Sequence, residues 1–169
     1  MIEPTMEKAF CDQIHQEFVA AYNYLGMSVY FEGRSLDGFA KWMKLQHDEE
    51  LTHAMRLFRY LLDRGGHVSL QSIPEVPTYF NSILEVFETS LDLERQNTVG
   101  INNLYQLSSA HNDYASKSHL QWFLDEQVEE EKSIEEILDL LRMAKDDVTA
   151  LLFLDNKLGS RPTEASESA

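Results

Sequence analysis

Residues 48–53 read Asp48-Glu49-Glu50-Leu51-Thr52-His53, and residues 125–130 read Asp125-Glu126-Gln127-Val128-Glu129-Glu130. Glu50 and His53 stand three apart in the first stretch, and Gln127 and Glu130 do so in the second. On a helix that spacing stacks two side chains on one face, about one turn apart. Each pair also has a glutamate upstream at a matching interval. Glu17 precedes Glu50 by 33 positions and His53 by 36; Glu94 precedes Gln127 by 33 and Glu130 by 36. The repeat implies two helical hairpins built alike, each with a Glu on its first helix and a pair on its second.

Outward from these stretches the chain reads as helix. Proline is absent from 5 to 73 and from 78 to 161. Both gaps show a hydrophobic period of about 3.5–3.6 residues and no sustained alternation of period 2. The first helix is expected over Glu7 to Glu32, stopping at Gly33. Asp37 is expected to cap a second, which runs to Arg64 and ends at Gly65-Gly66. A third starts at Asn81 or Ser82 and runs to Ala110; Asn112 or Asp113 caps a fourth, which continues to Lys145. Asp146 or Asp147 opens a short fifth helix that ends near Gly159. Residues 1–159 form one domain in this reading, and 160–169, rich in Ser, Glu, Ala and Thr, form a mobile acidic tail.

Short connections make each helix pair an antiparallel hairpin. The segment from Gly65 to Phe80 differs, being long, non-periodic and interrupted by Pro74 and Pro77. A helix of 28 residues is about 42 Å long, and roughly 15 extended residues span about 50 Å. The segment can therefore cross the whole bundle and set the third helix parallel to the second. The expected fold is all-α: a four-helix bundle with one long crossover and a short fifth helix.

Steps of alternating three and four along each helix trace the seam of a bundle. Phe10, Ile14 and Phe31 flank Glu17 on the first helix, and Phe39, Met43 and Leu57 flank Glu50 and His53 on the second. Phe87, Leu91 and Ile101 flank Glu94, while Leu120, Phe123 and Ile134 flank Gln127 and Glu130. Every stripe is apolar at its ends and polar near its middle. Carboxylates brought together in such a core repel one another and are costly unless paired or bound to cations. Four glutamates converging at mid-bundle with His53 and Gln127 point to a two-cation site. Oxygen ligands with one nitrogen suit iron or manganese, with zinc as an inert occupant.

The chain carries 169 residues with 14 basic and 29 acidic side chains, a formal net charge of −15. That balance favours cations and argues against nucleic acid, whose phosphates need clustered Lys and Arg. No apolar run reaches the roughly 20 residues a membrane helix needs, so no membrane partner is expected. The single Cys11 excludes an internal disulfide framework and a cysteine zinc site. Met1-Ile2-Glu3-Pro4 has no basic stretch leading into an apolar one. The expected location is the cytoplasm, or an organelle interior if a transit peptide was removed.

With these residues in place, the chain resembles the ferritins, most closely the haem-free prokaryotic type, over roughly residues 5 to 158. Glu17, the 48–53 stretch, Glu94 and the 125–130 stretch carry the resemblance. The general di-iron pattern has Glu-x-x-His on both second helices; here it occurs once, and Gln127-x-x-Glu130 replaces it in the other half. That departure sets the chain apart from bacterioferritins. The latter also place a haem-ligating Met after the bridging Glu, where this chain has Leu51, so no haem is expected.

The resemblance implies one iron on Glu17, Glu50 and His53, and a second on Glu50, Glu94 and Glu130 with Gln127 near, Glu50 bridging. It implies a redox role for Tyr24 beside the centre, with Trp122 as a further redox-capable aromatic. It also implies a third, all-carboxylate iron site at Glu49, Glu126 and Glu129, sharing Glu130. Fe2+ would be oxidised by O2 or peroxide and stored as a ferric mineral inside a homo-oligomeric cage, in this family usually of 24 subunits. Such a shell would carry about −360 formal charges at −15 per chain, attracting Fe2+. Two rivals share the fold: a di-iron oxidase or peroxidase of the rubrerythrin kind, and a cage subunit without oxidation chemistry of its own.

Overall fold

The computed structural model describes residues 2–145 and 147–161. Asp146, one of the two residues expected to open the last helix, and the tail from 162 onward lie outside the described residues. The described residues form five helices and no strand: α1 (Pro4–Glu32), α2 (Asp37–Asp63), α3 (Ile83–Ala110), α4 (Tyr114–Ala144) and α5 (Val148–Gly159).

The helix ends follow local chemistry, with two departures from expectation. Pro4 opens α1 and Glu3 caps it, its carboxylate accepting from the Thr5 and Met6 N–H groups, so the helix starts three residues before Glu7. Proline suits that first position because its missing N–H is never used there. Asp37 does not cap α2. It is the first helical residue, and Leu36 stands at the cap with no side-chain bond. The cap comes from elsewhere in the chain: Asp155 Oδ1 of α5 accepts the Phe39 N–H at 2.9 Å. Ser82 caps α3 through the Glu85 N–H, Asp113 caps α4 through Ser116, and Asp147 caps α5 through Thr149 and Ala150.

The crossover runs the length of α1. The His67 N–H donates to Glu7, the Ser69 N–H to Cys11 Sγ, and the Gln71 amide to Asp12. A Cβ added at Gly26 would lie 2.6 Å from the Pro77 carbonyl oxygen, so the chains touch backbone to backbone there. Phe80 then sits edge-on to Tyr30 at 5.5 Å. Residues 67 to 80 thus climb beside α1 from its start to its end, and α3 begins at the end where α2 begins. The two are parallel.

Two apolar clusters fill the bundle. One gathers Met27, Phe31, Phe39, Met43, Phe87 and Ile134 with their neighbours. The other gathers Met6, Phe10, Ile14, Leu57, Leu61, Ile101, Leu120 and Phe123. Between them lie the buried polar residues Gln13, Glu17, Gln46, Glu50, His53, Glu94, Asn97, Gln127 and Glu130. The polar belt divides the core at mid-height.

Candidate metal centre

Each helix of the bundle sends carboxylate or amide groups into this belt, and the four glutamates of the two repeats are all buried. Glu17, Glu50 and His53 converge so that one ligand atom of each lies within 4.8 Å of the other two. Glu17 Oε2, Glu50 Oε1 and His53 Nδ1 have no hydrogen-bond partner. Buried polar atoms are almost always paired. Three orphans facing one another are what a divalent cation would satisfy.

The other half of the centre is held by donors. The Tyr24 phenol donates to Glu94 Oε1, and Gln127 Nε2 reaches Glu94 Oε2 at 3.3 Å. Gln46 Nε2 donates to Glu130 Oε2 at 2.7 Å, and Asn97 Nδ2 to Glu50 Oε2 at 3.2 Å. Gln13 Nε2 supports Glu17 Oε1 at 2.7 Å. Glu17, Glu50 and Glu130 therefore each keep one oxygen in a hydrogen bond and Glu94 keeps both, which fixes their directions.

Burial raises these carboxyls above the ordinary range. Glu94 is pushed up to about 8, by desolvation first and then by the charge of Glu130. Glu130 rises to about 7 through desolvation, with the Gln46 bond opposing. Glu50 lies well above its usual value through desolvation and the charges of Glu94 and Glu17, and Glu17 is raised by desolvation. His53 falls to about 4 through burial and the nearby Arg56, so it is neutral at pH 7 with a lone pair to offer. Desolvation and the surrounding carboxylates hold the Tyr24 phenol well above its ordinary value. A metal ion entering this set would displace the protons that burial keeps on the carboxyls, so its binding strengthens as pH rises.

The structure brings Glu17, Glu50, His53, Glu94, Gln127, Glu130 and Tyr24 together. The acidic group beside them is arranged less simply. Glu126 is half-buried and falls within 4.8 Å of His53 and Glu130, as a second potential ligand set. Glu129 is exposed. Glu49 is engaged by Arg161, whose Nη2 lies 2.7 Å from its Oε1. Trp122 packs edge-on to His53 with ring centroids 5.3 Å apart, closer to the centre than its place before Gln127 suggests.

Sequence reading missed several members of this site. Gln13, Gln46 and Asn97 lie at helical spacing beside the ligands and are buried, a signal open to detection as amides within an apolar stripe. Trp42, 6.5 Å from Tyr24, and Arg161 carry no local pattern that marks them.

Residues 7–144 match the ferritin-like domain family. A bacterial non-heme ferritin of Staphylococcus haemolyticus is 38% identical over 161 residues, 95% of this chain and 97% of that protein. The Staphylococcus epidermidis non-heme ferritin is 39% identical with the same coverage. Among solved structures, an open-pore ferritin from the hyperthermophilic archaeon Archaeoglobus fulgidus superposes with a TM-score of 0.94. It is 40% identical, over 96% of this chain and 100% of that one.

Proposed function

Since the chain belongs to the ferritin family, as a non-heme ferritin of the prokaryotic type, we propose that Fe2+ is oxidised at the buried centre before it is stored. The protein is an iron-storage ferritin, and its family assembles as multi-subunit cages with ferroxidase activity as a typical property. The observation that carries the reading for this chain is the trio of orphaned atoms on Glu17, Glu50 and His53.

Fe2+ is the substrate. One ion takes Glu17, Glu50 and His53; a second takes Glu50, Glu94 and Glu130, with Gln127 near. Carboxylates are hard ligands that favour Fe3+ over Fe2+ and so make each ion easier to oxidise. Two ions give one electron each. O2 takes the two electrons with two protons and leaves as hydrogen peroxide; peroxide in its place would leave as two waters. The neutral Gln127 amide, where the other half has the Glu50 carboxylate, holds the second ion less tightly, which suits an ion that moves on to the mineral. Glu49, Glu126 and Glu129 would receive a third ion next to Glu130. The Tyr24 phenol, bonded to Glu94, can supply one further electron with its proton; together with one electron from each of the two ions and one from a third, O2 would then take four electrons and four protons and leave as two waters.

The test is stopped-flow absorbance of ferric species after anaerobic Fe2+ loading and mixing with O2. His53→Ala and Glu17→Ala should each slow the first phase at least about tenfold, because even the groups that merely orient a metal ligand are worth about 10–100-fold. The cage should still assemble. Wild-type rates in both variants would overturn the assignment.

A further inference from the structure

Arg161 lies just past the end of α5 and enters the acidic group from outside the bundle. Its N–H donates to the Leu158 carbonyl at 3.2 Å. Its own carbonyl and that of Gly159 accept from Lys41 Nζ, at 3.2 and 2.7 Å. From this anchor the guanidinium makes two short bonds, Nη1 to Gln46 Oε1 at 2.6 Å and Nη2 to Glu49 Oε1 at 2.7 Å. Only about a third of the Arg161 side chain and 15% of the Glu49 side chain remain accessible to solvent.

Two consequences follow from elementary chemistry. Guanidinium has donors and no acceptor. Gln46 must therefore turn its oxygen to Arg161, which leaves its NH2 for Glu130 Oε2, where the 2.7 Å bond is found. The chain Arg161–Gln46–Glu130 has one direction, and Arg161 sets it. Second, the guanidinium holds the position at Glu49 that a cation bound there would need. A divalent ion on the same carboxylate would sit within about 4 Å of a like charge, with little water between to screen it.

We propose that Arg161 is a tethered cation that governs the third ion: seated, it occupies Glu49 Oε1 and orients Gln46; displaced, it gives up that oxygen to Fe2+ held beside Glu126 and Glu130. The proposal rests on the two-ion reading of the centre, since Glu130 is shared. It is a positioning role, acting through Glu49 and Gln46. Because Arg161 is carried by α5, the docking of that helix and the occupancy of the acidic group are coupled. Asp155 capping Phe39 and Gly159 lying against Gly38 hold α5 in the position that delivers the arginine.

The experiment is anaerobic calorimetric titration of Zn2+ into the assembled, metal-free cage of the wild type, Arg161→Gln, Arg161→Lys and Arg161→Gln/Glu49→Gln. Zn2+ takes oxygen ligands and has no redox chemistry to confuse the count. Arg161→Gln should still bind two tight ions per chain, the one at Glu130 no more tightly than in the wild type, and bind a third about tenfold more tightly than the wild type, a gain of about 1.4 kcal/mol. Arg161→Lys, which keeps the charge, should stay near the wild type. The double variant should lose the gained ion, which shows that it binds at Glu49. A third step identical in wild type and Arg161→Gln, with the two tight ions present, overturns this proposal alone. Absence of the tight pair from every protein overturns the reading of the centre and this proposal with it.

Discussion

Glu94 and Glu130 keep their protons to about pH 8 and about pH 7 in the folded chain, while an unfolded chain gives such protons up near pH 4.3. Between those values the native state binds more protons than the unfolded one, so stability falls as pH rises through about 7 and then about 8. His53 and His119, both lowered to about 4, act oppositely and elsewhere. They cost stability as pH drops below about 6.5 and have no effect above it. The thermal midpoint of the chelator-treated protein should therefore decline between pH 6.5 and 9, by roughly 2–4 °C for each kcal/mol lost. Bound divalent ions replace the protons, so the Zn2+-loaded protein should show no such decline. Scanning calorimetry at stepped pH checks both; a flat midpoint in the metal-free protein would mean that these carboxyls are already ionised at neutral pH. The residues that converge in the belt were legible because one pattern is written twice, at intervals of 33 and 36 from Glu17 and from Glu94. Asn97 was not legible, because a seam of period 3.5 selects Thr98. An α-helix of period 3.6 drifts by about 20° per heptad, and over α3 that drift puts Asn97 inside and leaves Thr98 half-buried.

At the scale of elements, α2 is the helix whose start depends on another. Leu36 offers no cap, and Asp155, 116 positions after the Phe39 whose N–H it accepts, supplies one. The same contact explains Gly38, where an added Cβ would fall 1.8 Å from the Asp155 carbonyl oxygen. Asp155→Ala should lose about 1 kcal/mol, the usual worth of a cap, and loosen α5. Hydrogen exchange should accelerate at the Phe39 amide and along α5, with the far end of α2 unchanged; equal protection in both proteins would show that apolar contacts alone hold α5. Helix number, order and most boundaries followed from periodicity and from Ser82, Asp113 and Asp147. The Asp37 expectation failed because capping was sought among neighbours in sequence. Arg161 escaped for the same reason: its partners Gln46 and Glu49 lie more than a hundred positions away, and no spacing rule connects a chain end to the middle of the second helix. The crossover, by contrast, was readable from length alone, since the only use for so long an aperiodic segment is to cover the bundle from end to end.

At the scale of the whole molecule, one face is unfinished. Met143 at the end of α4 and Phe153 on α5 are exposed and line a surface pocket with Leu140, Ala150 and Leu154; Val148 and Leu152 on α5 are exposed as well. Scattered apolar side chains are ordinary, but a contiguous group of this kind marks an interface, and the family builds cages. Phe153→Glu should yield smaller assemblies by light scattering, with helix content unchanged by circular dichroism. An intact shell would place the subunit contact elsewhere. The belt between the two apolar clusters has a different consequence. Each cluster is secured at its own end: one by the Arg64–Asp113 pair at 2.9 and 3.0 Å with Tyr60 and Ser116, the other by α5 and Phe80. Halfway along the helices, hydrogen-bonded polar groups take the place of apolar packing. Helices ordinarily fray from their tips; here the tips are the parts secured by packing, so local opening at the waist would admit an ion to a chamber sealed from solvent without any helix melting.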